Sequence, residues 1–221
     1  DQSLLQSDLW PGGRSNHYFF DLNRDWLWAS QPESRGRIRA ISKWNPHYFM
    51  ESHEMYPQDT FLFTPARAPV NPNFPEHTNR WAVAFADDHA AAFDARGWRY
   101  YTGEWLENWY PGYSSSWVPL RGAVGNLYEQ ASIVTDAVER PEGALETYRE
   151  SVHKQLVSTM ANLGTLARNR QAVLEDYLAE KRECVSTDAP HADRVFALLP
   201  TANRARWNRF HDQMHIQGFE V

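Results

Sequence analysis

The sequence predicts an α/β fold, a mixed, largely parallel sheet flanked by helices, and three observations lead there. Short apolar runs bounded by glycine and proline alternate with longer stretches of helical periodicity. The chain has 221 residues, 42% hydrophobic and 14% aromatic, enough for one large domain or two small ones around a sizeable core. Ten tryptophans are spread from Trp10 to Trp207, a composition that argues against disorder.

Taken in order, residues 17–22 are aromatic-rich behind Pro11-Gly12-Gly13 and read as a short strand running into a loop. After Pro32, which suits a first helical turn, Ile38, Ile41 and Trp44 recur at helical spacing until Asn45-Pro46 ends the run. His47 to Ser52 and Thr60 to Thr64 fit strands. Four prolines punctuate residues 65–75, and Pro75 opens a second helix through Trp81, Phe85, Ala92 and Phe93, stopped by Gly97. Residues 99–120 read as an irregular aromatic and serine loop, and Ala123 to Tyr128 as a buried strand leading to Glu129. From Gly143 one long helix is predicted, with Leu145, Tyr148, Val152, Leu156, Met160, Leu163, Leu174 and Tyr177 on the face that packs. Past a linker at Ser186 to Pro190, Arg194 to Leu199 reads as a strand, 201–216 as a helix and Phe219 to Val221 as the start of a strand. The expected division is therefore 1–185, closed by the long helix, and 186–221, a linker and the start of a further α/β element.

Composition removes several functional classes. A formal charge of −6 and a pI near 5.8 leave no basic surface for a polyanion, so no nucleic-acid partner is expected. No window approaches the roughly 20 apolar residues of a transmembrane segment. Cys184 is the single cysteine and lies in a polar stretch, which excludes a disulfide framework and a cysteine metal site.

Four polar segments carry chemistry: Arg14, Asn23-Arg24, His53 and Glu129. A guanidinium fork beside an amide suits a carboxylate, which it holds by parallel charge-assisted hydrogen bonds. A histidine at a strand end can aim a nitrogen into a cleft above a sheet, and a glutamate there can move a proton. Each also has a plain reading: a surface arginine, an Asn-Arg turn, a packed histidine, a solvated glutamate. His211 and His215 stand one helical turn apart around an aspartate, a spacing read as a solvated helix face. His17, His77, His89, His153 and His191 have no partner at ligand spacing and are read as structural; His47 and Glu51 are expected to pack or pair locally.

In their order and gaps these segments resemble the active site of the zinc carboxypeptidase (carboxypeptidase A-like) family, over about residues 10–130 and less specifically through the long helix. The resemblance implies that Asn23 and Arg24 bind the free C-terminal carboxylate of a peptide and that Arg14 faces the oxygen of the scissile carbonyl. It makes His53 a ligand of one zinc ion, and Glu129 the catalytic group that takes a proton from the attacking water and delivers it to the leaving amine. Tyr113, preferred over Tyr110 because Gly112 beside it gives backbone freedom, would cap the substrate from a mobile loop, and Ser114 to Ser116 would line the side-chain pocket. The family's first two zinc ligands, a histidine and a glutamate three residues apart, should precede Arg14, where thirteen residues hold no histidine. The expectation is thus a piece of a longer zinc metallocarboxypeptidase, holding zinc weakly by itself and associating with itself through an exposed sheet edge. The family resemblance also suggests a periplasmic or secreted protein. Two alternatives remain: an amidase or deacylase of the same fold acting on cell-wall peptides or acyl amino acids, and a non-catalytic carboxylate-binding module.

Overall fold

A computed structural model describes residues 14–220 apart from 134 and 191; His191, Val221 and the thirteen residues before Arg14 lie outside the described residues. Helix α1, Pro32–Trp44, opens on its proline and closes at Asn45, whose left-handed φ of 49° lets its N–H reach the Ile41 carbonyl. Strand β1 follows at Tyr48–Met55 and β2 at Phe61–Phe63. Helix α2 spans Glu76–Asp94, and the short helix α3, Ser114–Trp117, gives order to a stretch read as wholly irregular. Strand β3, Val124–Ala131, lies between β1 and β2, parallel to β1 and antiparallel to β2. The fold is thus a mixed α/β sheet with helices on it.

Several local expectations are corrected. Residues 17–22 form no strand; the chain turns back on itself, with a single bridge between Ser15 and Asp21. A hairpin of β4, Ala137–Glu139, and β5, Leu145–Thr147, precedes helix α4, Tyr148–Cys184. Gly143, read as a helix start, is instead the left-handed turn residue of this hairpin, at φ 81°. The true start is a capping box in which Thr147 accepts from the Glu150 N–H and Glu150 accepts from the Thr147 N–H. Arg194 to Leu199 has no regular structure, and neither do Phe219 and Glu220. Helix α5, Arg204–Gln217, caps on Asn203 and sends Ile216 into a core cluster with Trp26, Ile38 and Trp117.

The largest correction concerns α4. Tyr177 is buried as expected, but the rest of the buried side mixes Val157 and Val173 with Ser151, Lys154, Ser158, Asn162 and Thr165, while Tyr148, Val152, Leu156, Met160, Leu163 and Leu174 are each about half exposed. Small polar residues let α2 come close and form bonds across the contact. His89 bonds to the Ser158 carbonyl, and Thr165 donates to Asp88. His89 packs between Phe63 and Tyr128, and this burial lowers its pKa to about 4, so it is neutral near pH 7. Phe61, Phe63, Phe93 and Tyr128 complete the core between the sheet and its helices.

Candidate active site

Strand alternation puts Glu51, His53 and Met55 on one face of β1 and the exposed Ser52 and Glu54 on the other. The parallel register sets His53 directly beside Glu129, and β2 sets Leu62 on the far side of Glu129. Leu62, Leu106 and Leu127 form an apolar cluster at this face. Over it opens a cavity of about 270 Å³ lined by Arg14, Asn23, Arg24, His53, Tyr113 and Glu129, with Trp105, Leu106, Glu107, Ser115 and Leu127. Residues from four separated stretches of sequence therefore meet at one place.

The imidazole of His53 is fixed from both sides. Its Nε2 lies 2.8 Å from Glu51 Oε2 and its Nδ1 3.1 Å from Arg14 Nη1. A carboxylate only accepts and a guanidinium only donates. The neutral ring must therefore carry its hydrogen on Nε2 and keep the Nδ1 lone pair toward Arg14 and toward Glu129, whose Oε1 is 3.9 Å away. Glu51 is held in turn by the Ser114 hydroxyl. That hydroxyl also lies 2.7 Å from Asn23 Oδ1, and the Ser114 N–H donates to the same oxygen at 3.1 Å. With Oδ1 so occupied, the Asn23 amide is oriented to leave Nδ2 as its donor for a ligand.

This arrangement changes two readings of the loop. Ser114 is buried and serves the network instead of lining the cavity, a place that Ser115 takes. Gly112 is needed for close approach: a Cβ there would fall 2.6 Å from the Arg24 carbonyl oxygen and would overlap the Tyr110 ring. Tyr110 donates to the Arg24 carbonyl and accepts from Trp28, tying the loop to the Asn23-Arg24 segment. Tyr113 lines the cavity, with the Arg24 guanidinium 4.4 Å above its ring. Arg24 also donates to the Asn23 carbonyl at 3.1 Å and lies 3.6 Å from Asp21, with its side chain about half exposed. Burial, opposed by Arg24, raises the Tyr113 pKa.

Glu129 is almost fully buried. Desolvation raises its carboxyl to about 6, with His53 and Arg14 pulling down and Glu51 pushing up. A carboxylate near pH 6 in a cleft is suited to accept a proton and return it. Glu51, which local pairing alone did not distinguish, is the functional residue missed by sequence reasoning. Its signal was the i, i+2 spacing to His53 on one strand face.

Among the described residues the cavity lining holds no other histidine. His47 packs on Tyr177, His77 bonds to the Gly122 carbonyl, His153 packs on Trp98, and His211 and His215 stack edge to face. His53 is oriented as a ligand would be, since a carboxylate on the second ring nitrogen is the usual support of a metal-bound imidazole. The set is incomplete, however. Among the described residues no group of three His, Cys, Asp or Glu side chains is placed to hold a metal ion, and a catalytic zinc requires three protein ligands. The described residues by themselves do not form a zinc site.

No family model matches the sequence, and no curated protein matches it. Among solved structures, a metallo-carboxypeptidase from Burkholderia cenocepacia superimposes with a TM-score of 0.53 and 17% identity. The match covers 71% of this chain and 41% of the other, so the chain spans about two-fifths of that structure. The likeness shows a carboxypeptidase-like fold. No helix among the described residues is long and apolar enough to cross a membrane.

Proposed function

We propose that this chain carries the substrate clamp and general base of a metallo-carboxypeptidase, and that the polypeptide containing it removes C-terminal residues from peptides. The observation that supports this reading most is the meeting of Asn23, Arg24, Arg14, His53 and Glu129 around one cavity on a carboxypeptidase-like fold. Asn23 Nδ2 and the Arg24 fork would bind the terminal carboxylate, which fixes the scissile bond at a set distance from Glu129. Tyr113, under Arg24, would close over the bound residue. Arg14 would turn from His53 Nδ1 toward the carbonyl oxygen as charge develops there. Glu129 would take a proton from water and pass it to the leaving amine. Zinc belongs to the proposal as a cofactor held by His53 together with ligands outside the described residues.

Binding and hydrolysis test separate parts of the reading. In an NMR titration of this chain, an N-acetyl dipeptide with a free carboxylate should bind at least about tenfold more tightly than its C-terminal amide, and Arg24→Ala should erase the difference. Equal binding of acid and amide would remove the clamp and with it the exopeptidase reading. In the full-length gene product, Glu129→Gln should lower peptide hydrolysis by on the order of 10²–10⁴ while binding persists. Carboxylate-selective binding without hydrolysis would instead favour a non-catalytic module.

A further inference from the structure

Helix α5 ends on a side chain that joins the two segments of the carboxylate clamp. Gln217 is buried, and both hydrogens and the oxygen of its amide are engaged. Oε1 accepts from Trp117 Nε1 at 2.8 Å, and Nε2 donates to the Trp26 and Leu27 carbonyls at 2.8 Å each. A flipped amide would set its oxygen against two carbonyls and its hydrogens against an N–H, so one orientation is dictated. Gly218, left-handed at φ 90°, ends the helix at this residue. The Gln217 carbonyl accepts from Arg121 at 2.9 Å, and the Arg121 guanidinium lies over the Trp117 ring. Gln217 is thus fixed by side chain and backbone, and all the donors and acceptors that fix it lie among the described residues.

We propose that Gln217 is a positioning residue for the clamp: it sets the spacing between the Asn23–Trp26 segment and α3, and thereby the direction in which Asn23 presents Nδ2. The proposal rests on the reading that Asn23 and Arg24 bind a terminal carboxylate. Trp26 follows Asn23 by three residues, and Trp117 follows Ser114 by three at the far end of α3. At one end of this pair of segments the Ser114 N–H and hydroxyl hold Asn23 Oδ1. At the other end the Trp26 and Trp117 rings pack with centroids 5.3 Å apart, and there Gln217 bonds to both segments. A shift of Trp26 relative to Trp117 is passed along three residues to Asn23, whose Oδ1 must stay on Ser114 while its Nδ2 meets a ligand. Hydrogen bonds weaken steeply as their angle opens, and those to a charged acceptor are worth most, so a turned Nδ2 costs the acid form of a peptide and leaves its amide form little affected. Gln213, one turn earlier on α5, is the natural contrast. Among the described residues it donates to the Leu27 carbonyl at 3.1 Å and to no group of α3.

The ¹⁵N-labelled side-chain amide of Asn23 reads the positioning without any substrate, and titration with the acid and amide forms of an N-acetyl dipeptide reads its use. In the wild-type chain Asn23 should give one sharp pair of amide signals. Gln217→Met keeps the length of the side chain and removes its three bonds. It should shift or broaden that pair and lower the preference for acid over amide at least about threefold, with affinity for the amide form unchanged within about twofold. Gln213→Met removes a bond from the same helix and should leave both readouts native. If circular dichroism shows Gln217→Met unfolded, Trp117→Phe, which removes the donor to Oε1 and keeps a ring, tests the brace from its other end. Native Asn23 signals or an unchanged acid preference in the folded variant would overturn the proposal, as would an equal effect of Gln213→Met. A wild-type chain that binds acid and amide equally removes the clamp reading instead, and the Asn23 signals alone then decide whether Gln217 positions that amide.

Discussion

Burying Glu129 to raise its basicity has a cost that can be measured without any substrate. Its pKa rises from 4.5 to about 6 in the folded chain, chiefly by desolvation. Between those values the folded state holds a proton that the unfolded state has lost, so this group's contribution to stability falls as pH rises through the window. Below pH 4.5 both states are protonated and the penalty vanishes; above pH 6 it is complete, at about 2 kcal/mol. Glu129→Gln replaces the carboxylate by a neutral group of the same shape. Urea denaturation at pH 7.5 should therefore find the variant more stable by about 1–2 kcal/mol, with the gain largely gone at pH 4.5. His89, buried at about 4, costs the wild type stability in acid, but it is common to both proteins and cancels in the difference. A variant that is destabilised, or stabilised equally at both pH values, would refute the claim that desolvation tunes this carboxyl.

Three further outcomes follow from named contacts. Glu51→Ala should convert His53 from the Nε2–H form to mixed tautomers in ¹⁵N imidazole spectra, whereas Glu51→Gln keeps an accepting oxygen and the native form; a native ring with its hydrogen on Nδ1 would contradict the Arg14 and Glu51 geometry. Gly112→Ala should cost about 1–3 kcal/mol in urea denaturation, because the new methyl meets the Arg24 carbonyl; an unchanged midpoint would show that the loop relaxes freely. Glu146 bridges the buried Arg140 and Lys154 at 2.6 Å each, so Glu146→Gln, which leaves two buried cations unmatched, should lose about 3–5 kcal/mol. A loss under about 1 kcal/mol would mean that water reaches those cations.

The parts of the fold legible in the sequence are those written by local chemistry. Pro32 with Asn45 brackets α1, and Pro75 with Gly97 encloses α2. What escaped depends on what lies opposite. Periodicity shows that α4 has two faces but not which one is covered, and the covered one mixes Val157 and Val173 with Ser158, Asn162 and Thr165, which allow close contact with α2. Likewise the hairpin before α4 is short and half polar, and it is held by the buried Arg140–Glu146–Lys154 cluster, whose members give no periodic signal.

The same distinction separates the two halves of the candidate site. Asn23 and Arg24 are adjacent and Arg14 lies nearby, so their joint use could be read along the chain. The support of His53 could not, because it closes through Ser114, 63 residues after Glu51 and 91 after Asn23. One hydroxyl there lies between the amide oxygen of the carboxylate clamp and the carboxylate that orients the imidazole, and its single hydrogen is shared between these two acceptors. Its removal should therefore disturb both together: in Ser114→Ala, Glu51 loses a donor, and Asn23 Oδ1 is left with the residue-114 N–H as its one remaining partner of the two. If the clamp and His53 are coupled through this residue, the variant should weaken free-carboxylate binding and broaden the His53 tautomer population at once. A change in one readout with the other intact would show two independent supports, and the network would then be a packing arrangement without a shared role.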